Sequence, residues 1–180
     1  MSPDPTPSIA PTGATNEIGA TTVDVVVESP LWAEEPDAEA LVLRAVAATL
    51  PADRGACELC VVLADDATVQ ALNARYRGKD APTNVLSFPA VPGGTSGDAD
   101  PDMPTLLGDV VLAYETVRAE SQRDGTPFAH HLGHLVVHGV LHLLGYDHET
   151  DAEAELMEAR ERDVLASLDV PDPYAGRECA

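Results

Sequence analysis

Basic residues are scarce in this chain: ten Lys and Arg stand against 31 Asp and Glu, a formal charge of −21 over 180 residues. That balance argues against broad, nonspecific attachment to nucleic acid or anionic membrane and leaves room for a local basic site. Aromatics are scarce as well, at 4%, so aliphatic side chains must fill the core that a 44% hydrophobic content allows. Three cysteines, an odd number, do not suggest a disulfide framework. Cys57 and Cys60 form a CxxC, but no second CxxC completes a zinc ribbon, and the surrounding ELCVVLAD reads as a buried strand. An offset of three on a strand sends the two thiols to opposite faces, so both are expected to be packed and inert. Cys179 is expected to be a free, exposed thiol in a tail. No apolar run approaches the ~18 residues of a membrane span. The opening MSPDPTPSIAPTGATNEIG has neither the basic nor the apolar region of a secretory signal. A cytoplasmic, reducing location without membrane attachment is therefore expected.

One ordinary domain with tails fits this length. Residues 1–21 are rich in Pro, Thr, Ala and Gly and are expected to be a disordered tail, residues 22–174 the domain, and 175–180 a second tail. Within the domain, 22–29 is strand-like and SPLW turns the chain. A helix over 37–50 is read from the spacing of Leu41, Ala45 and Leu50, with Asp37 as its cap. A strand follows, then a helix over 66–76 capped by Asp66, then a short strand ended by Pro89. Residues 91–105 form a Gly/Pro/Asp loop, a lid or a crossover. After a strand at 106–114 come three helices: one ending at Gly125, one over 127–144 that is mostly apolar, and an amphipathic one over 150–169 capped by Thr150 or Asp151. The order predicts an α+β domain, a small mixed sheet packed against several helices, with the apolar histidine-bearing helix at its centre.

All six histidines lie in HHLGHLVVHGVLHLLGYDHE, residues 130–149. Imidazoles four apart on a helix share one face about 6 Å apart along the axis and can share a metal ion. The ladder His130, His134, His138, His142 offers several such pairs. Gly145 is the expected helix end, and the chain turns back at once, so His148 returns toward His142 first and His138 next. Three histidines leave a fourth position open, the pattern of a catalytic rather than a structural zinc site. His130 and His131 are expected to be solvated, and His134 to lie behind the ligands or along a cleft. Asp147 would orient a ligand or cap the turn. In the zinc-peptidase motif HExxH a glutamate follows the first histidine; here Gly139 stands in that place.

The second informative stretch is LNARYRGKDAPTNVLSFP, residues 72–89. Arg75, Arg77 and Lys79 fall within five positions where a helix ends and a strand begins. Against a strongly acidic background, such a turn suits an anion such as phosphate. A metal with an adjacent guanidinium is a suitable set for phosphodiester cleavage.

HGVLHLLGYDH, YRGKDAPTNVLSFP and LLGDVVLA, in that combination, closely resemble the YbeY family of bacterial endoribonucleases, which act in rRNA maturation and ribosome quality control. The similarity runs from about residue 23 to 174. It implies that His138, His142 and His148 bind one zinc ion per chain. It also implies that Arg77 lines the cleft and is needed for activity, and that the fold is α+β. The common family form carries Asp where this chain has Asn84. The resulting expectation is a zinc-dependent, single-strand-specific endoribonuclease acting on the 16S rRNA 3′ end. Its catalytic residues are Arg77, His138, His142 and His148; its partners are rRNA and a ribosomal subunit or ribosomal proteins; no DNA is expected. The alternatives are a zinc hydrolase of peptide or amide bonds, which Gly139 disfavours, and a non-catalytic assembly factor whose zinc is structural.

Overall fold

The computed structural model describes residues 12–91 and 102–176. Two strands open the fold, β1 (Thr12–Ile18) and β2 (Thr21–Val27), paired antiparallel from Thr12↔Val27 to Ile18↔Thr21. The tail expected over residues 1–21 is thus corrected for Thr12–Ile18, which form an edge strand. β1 has almost no buried face, so periodicity could not reveal it; it is held by the backbone ladder and by contacts such as Thr15 Oγ1 donating to Asp24 Oδ1 at 2.6 Å. Residues 1–11 lie outside the described residues, as do most of the expected 91–105 loop and Cys179.

β3 (Cys57–Ala64), β4 (Val85–Pro89) and β5 (Thr105–Ala113) complete a five-stranded sheet in the order β1-β2-β3-β5-β4. β2, β3 and β5 run parallel, while the outer strands β1 and β4 are antiparallel to their neighbours, so the sheet is mixed. Parallel neighbours need crossovers, and α1 (Ala38–Thr49) and α2 (Asp66–Arg77) lie in those connections. α3 (Tyr114–Asp124), α4 (Phe128–Leu143) and α5 (Asp151–Ser167) follow β5. This is the α+β architecture expected.

The larger core lies between one face of the sheet and α1, α3, α4 and α5; Val23, Val25, Val61 and Leu63 meet Leu132, Val136 and Val140 of α4 in it. Burying each of these aliphatic side chains stabilises the fold by about 1.5–3 kcal/mol. α4 touches α1, α3, α5, β4 and β5, and so occupies the centre. On the opposite face, Val69 and Leu72 of α2 cover Val62, Leu86 and Val111. The two cysteines divide as expected: Cys57 is in the large core beside Thr21 Oγ1 at 3.0 Å, and half-buried Cys60 faces the other way. Burial, with Asp109, Asp24 and Glu28 nearby, pushes the Cys60 thiol up to about 11.

Two local assignments shift, and a third is decided. The buried stripe of α1 is Ala38, Val42, Ala45, Val46 and Thr49, while Leu41 and Leu50 sit half-buried at its margin. Thr49 is tolerated inside because its hydroxyl donates to Ala45 O at 2.7 Å. The cap of α2 is Asp65, whose carboxylate accepts the Thr68 N–H at 2.9 Å. Asp66 instead accepts the Thr116 N–H and hydroxyl, tying α2 to α3. α5 begins at Thr150 with a reciprocal capping box to Glu153. Among the described residues, no helix is long and apolar enough to cross a membrane.

Candidate metal centre

α4 buries all of its faces except the one carrying histidines, and His138 and His142 follow each other there one turn apart. The helix stops because Gly145 takes φ 96°, a left-handed conformation that glycine adopts without cost. The Gly145 N–H donates to His142 O at 3.1 Å and the Tyr146 N–H to Leu141 O at 3.0 Å. This reversal returns His148 to the same face, steadied by its N–H donating to Asp147 Oδ1 at 2.8 Å. One ring nitrogen from each of His138, His142 and His148 lies within 4.8 Å of the others. The structure thus brings together the three histidines singled out from the sequence, and Asp147 orders the turn.

The protons show what the cluster can hold. His142 Nδ1 is 3.0 Å from Tyr146 O, a carbonyl that only accepts, so Nδ1 carries the hydrogen. Burial first, and then His138 and His148, lowers the His142 imidazolium to about 4. Its Nε2 is therefore a bare lone pair near neutral pH. His138 Nδ1 lies 2.5 Å from Glu161 Oε1, and a carboxylate there leaves Nδ1 as the donor. The two Nε2 atoms face each other at 3.1 Å. With the hydrogens of both rings on Nδ1, two nitrogens at that distance need a proton or a metal ion between them. A tetrahedral ion ~2.0–2.1 Å from each nitrogen would set them roughly 3.3 Å apart. The residues present fit a metal ion.

Glu161 was not singled out in the sequence. It lies on α5 in register with Met157, Val164 and Leu165, and its side chain is 0% exposed. A lone acid in that apolar stripe was the available signal. Burial opposes its ionisation, yet contacts with His134, His138 and Tyr174 outweigh burial and hold the carboxyl well below the usual carboxylate range. The Tyr174 hydroxyl donates to Glu161 Oε2, and His134 Nε2 stands 3.6 Å from the same oxygen. His134 is thus behind the cluster, one of the two places expected for it. His131 is not simply solvated: its Nε2 is 2.8 Å from Glu120 Oε2. Asn84 donates to the same Glu120 at 3.0 Å, and Asn84 lies outside the cleft with the histidine triad.

That cleft, about 390 Å³, is lined by the triad, by Ser87 and Val85 of β4, and by Arg77. Arg77 is the last residue of α2, and Gly78 ends the helix directly after it. It is the one Lys or Arg lining the cleft, and no ion pair engages it among the described residues. The other two bases of that turn are elsewhere: the Arg75 guanidinium lies over the Tyr76 ring at 5.3 Å, and Lys79 is exposed outside the cleft. A phosphate bound beside the triad would thus meet a single guanidinium. Gly139 points at the sheet rather than into the cleft, and its carbonyl accepts the Ser87 hydroxyl at 3.0 Å.

A relative from Rhodopseudomonas palustris (strain BisB18), named Endoribonuclease YbeY, is 56% identical over 158 residues, 86% of this chain and 93% of its own length. Another of that name, from Bradyrhizobium sp. (strain BTAi1), is 53% identical over 161 residues, 87% of this chain and 94% of its own. The solution structure of TM1509 from Thermotoga maritima aligns with a TM-score of 0.48 at 21% identity, covering 88% of this chain and 98% of that one. The family model described as Endoribonuclease YbeY matches residues 32–169, from the buried Trp32 through Arg77 and the histidine triad to the end of α5, and the chain belongs to the YbeY family.

Proposed function

We propose that the chain is a zinc-dependent endoribonuclease that cuts single-stranded RNA in rRNA processing, at the 16S 3′ end and in ribosome quality control. Family membership supports an endoribonuclease that hydrolyses RNA. The observation that carries the site is the convergence of three imidazole nitrogens, two of them Nε2 atoms 3.1 Å apart, in a cleft whose one Lys or Arg is Arg77. His138, His142 and His148 hold the ion. When bound, it supplies Lewis acidity toward water or a phosphate oxygen. Arg77 binds a non-bridging oxygen and offsets charge as the phosphorane forms. Tyr146 O and Glu161 keep the hydrogens of His142 and His138 on Nδ1, away from the cleft.

Among the described residues the ligand group has three members, which favours an open site over a structural one. A peptidase is disfavoured because a side chain at position 139 would meet Val110, not substrate. The formal charge of −21 implies weak, shallowly salt-dependent binding to free RNA. Ribosomal partners therefore present the RNA, and this chain supplies mainly the cutting site, in the cytoplasm. Tight binding of an isolated 16S 3′-end RNA at physiological salt would refute that division.

The test is cleavage of a single-stranded 16S 3′-end RNA by the purified chain, with and without chelator, and with His142→Ala as the contamination control. Cleavage lost in both controls is the expected result. Undiminished cleavage in either would remove the metal from the reaction.

A further inference from the structure

Glu161 is costly where it stands. A buried carboxylate without a cationic partner is strongly disfavoured, and among the described residues its ion-pair partners are only the imidazoles of His134 and His138. Its neighbours on α5, Met157, Val164 and Leu165, are fully packed core, so an apolar residue would suit α5 better. Its two oxygens divide their work: Oε1 takes His138 Nδ1 at 2.5 Å, and Oε2 takes the Tyr174 hydroxyl. Tyr174 comes from beyond the end of α5, so a second segment of chain fixes the carboxylate's rotation.

We infer that Glu161, oriented by Tyr174, is a positioning residue for metal binding: it fixes the tautomer and ring plane of His138, so that Nε2 is held bare and aimed at the ion. Two facts separate this from a simple tether between α5 and α4. The carboxylate contacts the one nitrogen of His138 that does not face His142. His142 has the equivalent restraint from a backbone carbonyl, so each of the two helix-borne ligands has its far nitrogen occupied. Hydrogen bonds of this kind orient a ligand imidazole and raise its basicity, and their loss typically weakens metal binding about 10–100-fold. The inference rests on the metal site proposed above.

The experiment is competition for Zn2+ against a chromophoric chelator, using the full chain as wild type, Glu161→Gln, Tyr174→Phe and Val164→Ala. Val164→Ala loosens the same helix without touching His138 and serves as the control for lost stability. Glu161→Gln should weaken zinc binding about 10–100-fold, Tyr174→Phe by less, and Val164→Ala should keep wild-type affinity despite a lower Tm. Should Glu161→Gln fail to fold, Tyr174→Phe carries the test, because it removes one hydroxyl from a residue near the chain surface. Wild-type affinity in the folded position-161 variant, or an equal loss in Val164→Ala, would overturn the role of Glu161. A wild-type chain that bound no zinc would instead overturn the metal site, and this role with it.

Discussion

Gly139 and Val110 are so close that a Cβ on the glycine would stand 2.7 Å from Cγ1 of the valine. α4 rests on the sheet at that point, and Val110 is fully buried with no room to retreat. A helix-interior alanine would by itself gain up to about 1 kcal/mol over glycine. Overpacking outweighs that here, and Gly139→Ala should cost about 1–3 kcal/mol net, read as a lower denaturant midpoint. Gly139→Glu should destabilise far more and gain no peptidase activity, because the carboxylate would enter the sheet interface. A stable Gly139→Glu protein that cleaved peptides would contradict the packing described.

Asn84, just before β4, predicts a second effect. Its amide donates to Glu120 while its Oδ1 accepts the Val85 N–H at 2.7 Å, so both ends of the side chain are engaged. Asn84→Asp would keep the acceptor and turn the donor into a carboxylate against a carboxylate. A loss of about 1–2 kcal/mol near neutral pH is expected, shrinking as acid lets the pair share a proton. Stability curves at several pH values would show it; equal stability of both forms at neutral pH would argue against the Glu120 contact.

The ligands and Arg77 should separate by measurement. His142→Ala removes one of the converging lone pairs and should lose both bound metal and cleavage. Arg77→Ala touches neither ring nor core; it should keep metal and Tm and lose roughly 10²-fold or more in turnover. Metal content, melting temperature and single-turnover cleavage of the same preparations distinguish the two. Unchanged turnover in Arg77→Ala would exclude that guanidinium from the chemistry.

Acid should unfold the metal-free protein in a particular window. The His142 imidazolium falls from 6.5 to about 4, through burial first and then His138 and His148. Between those values the unfolded chain binds a proton that the folded chain does not, so falling pH favours unfolding. The stabilisation is complete above 6.5 and gone near 4. Glu161 acts with the same sign at lower pH: its contribution is present above the ordinary value of 4.5 and lost as pH falls through its depressed folded value. Chelator-treated protein should therefore lose denaturant resistance steadily across the His142 window, and His142→Asn should flatten that part of the curve. A wild-type profile as flat as that of the variant would show that His142 is not buried neutral.

The histidine triad was legible because helix periodicity and a glycine turn are local rules, and together they bring His138, His142 and His148 to one face. The mixed sheet and the central α4 were legible from apolar patterning for the same reason. What escaped depends on distant partners. β1 has no apolar face to betray it and exists because β2 offers a free edge. Asp65 and Asp66 both suit a cap, and only α3 decides that Asp66 turns away. Of the three bases near the end of α2, nothing local says that Arg77 alone lines the cleft. Glu161 interrupts the apolar stripe of α5, but what that acid meets is decided only when α5 is laid on α4.

The support for His138 is drawn from α5 and Tyr174, downstream of all three histidines of the triad. Translation proceeds in that order. A ribosome completes the imidazole set before it has made the carboxylate that steadies it. With Glu161 in the role proposed for it, a nascent or prematurely ended chain would carry all three histidines and lack the carboxylate that steadies His138.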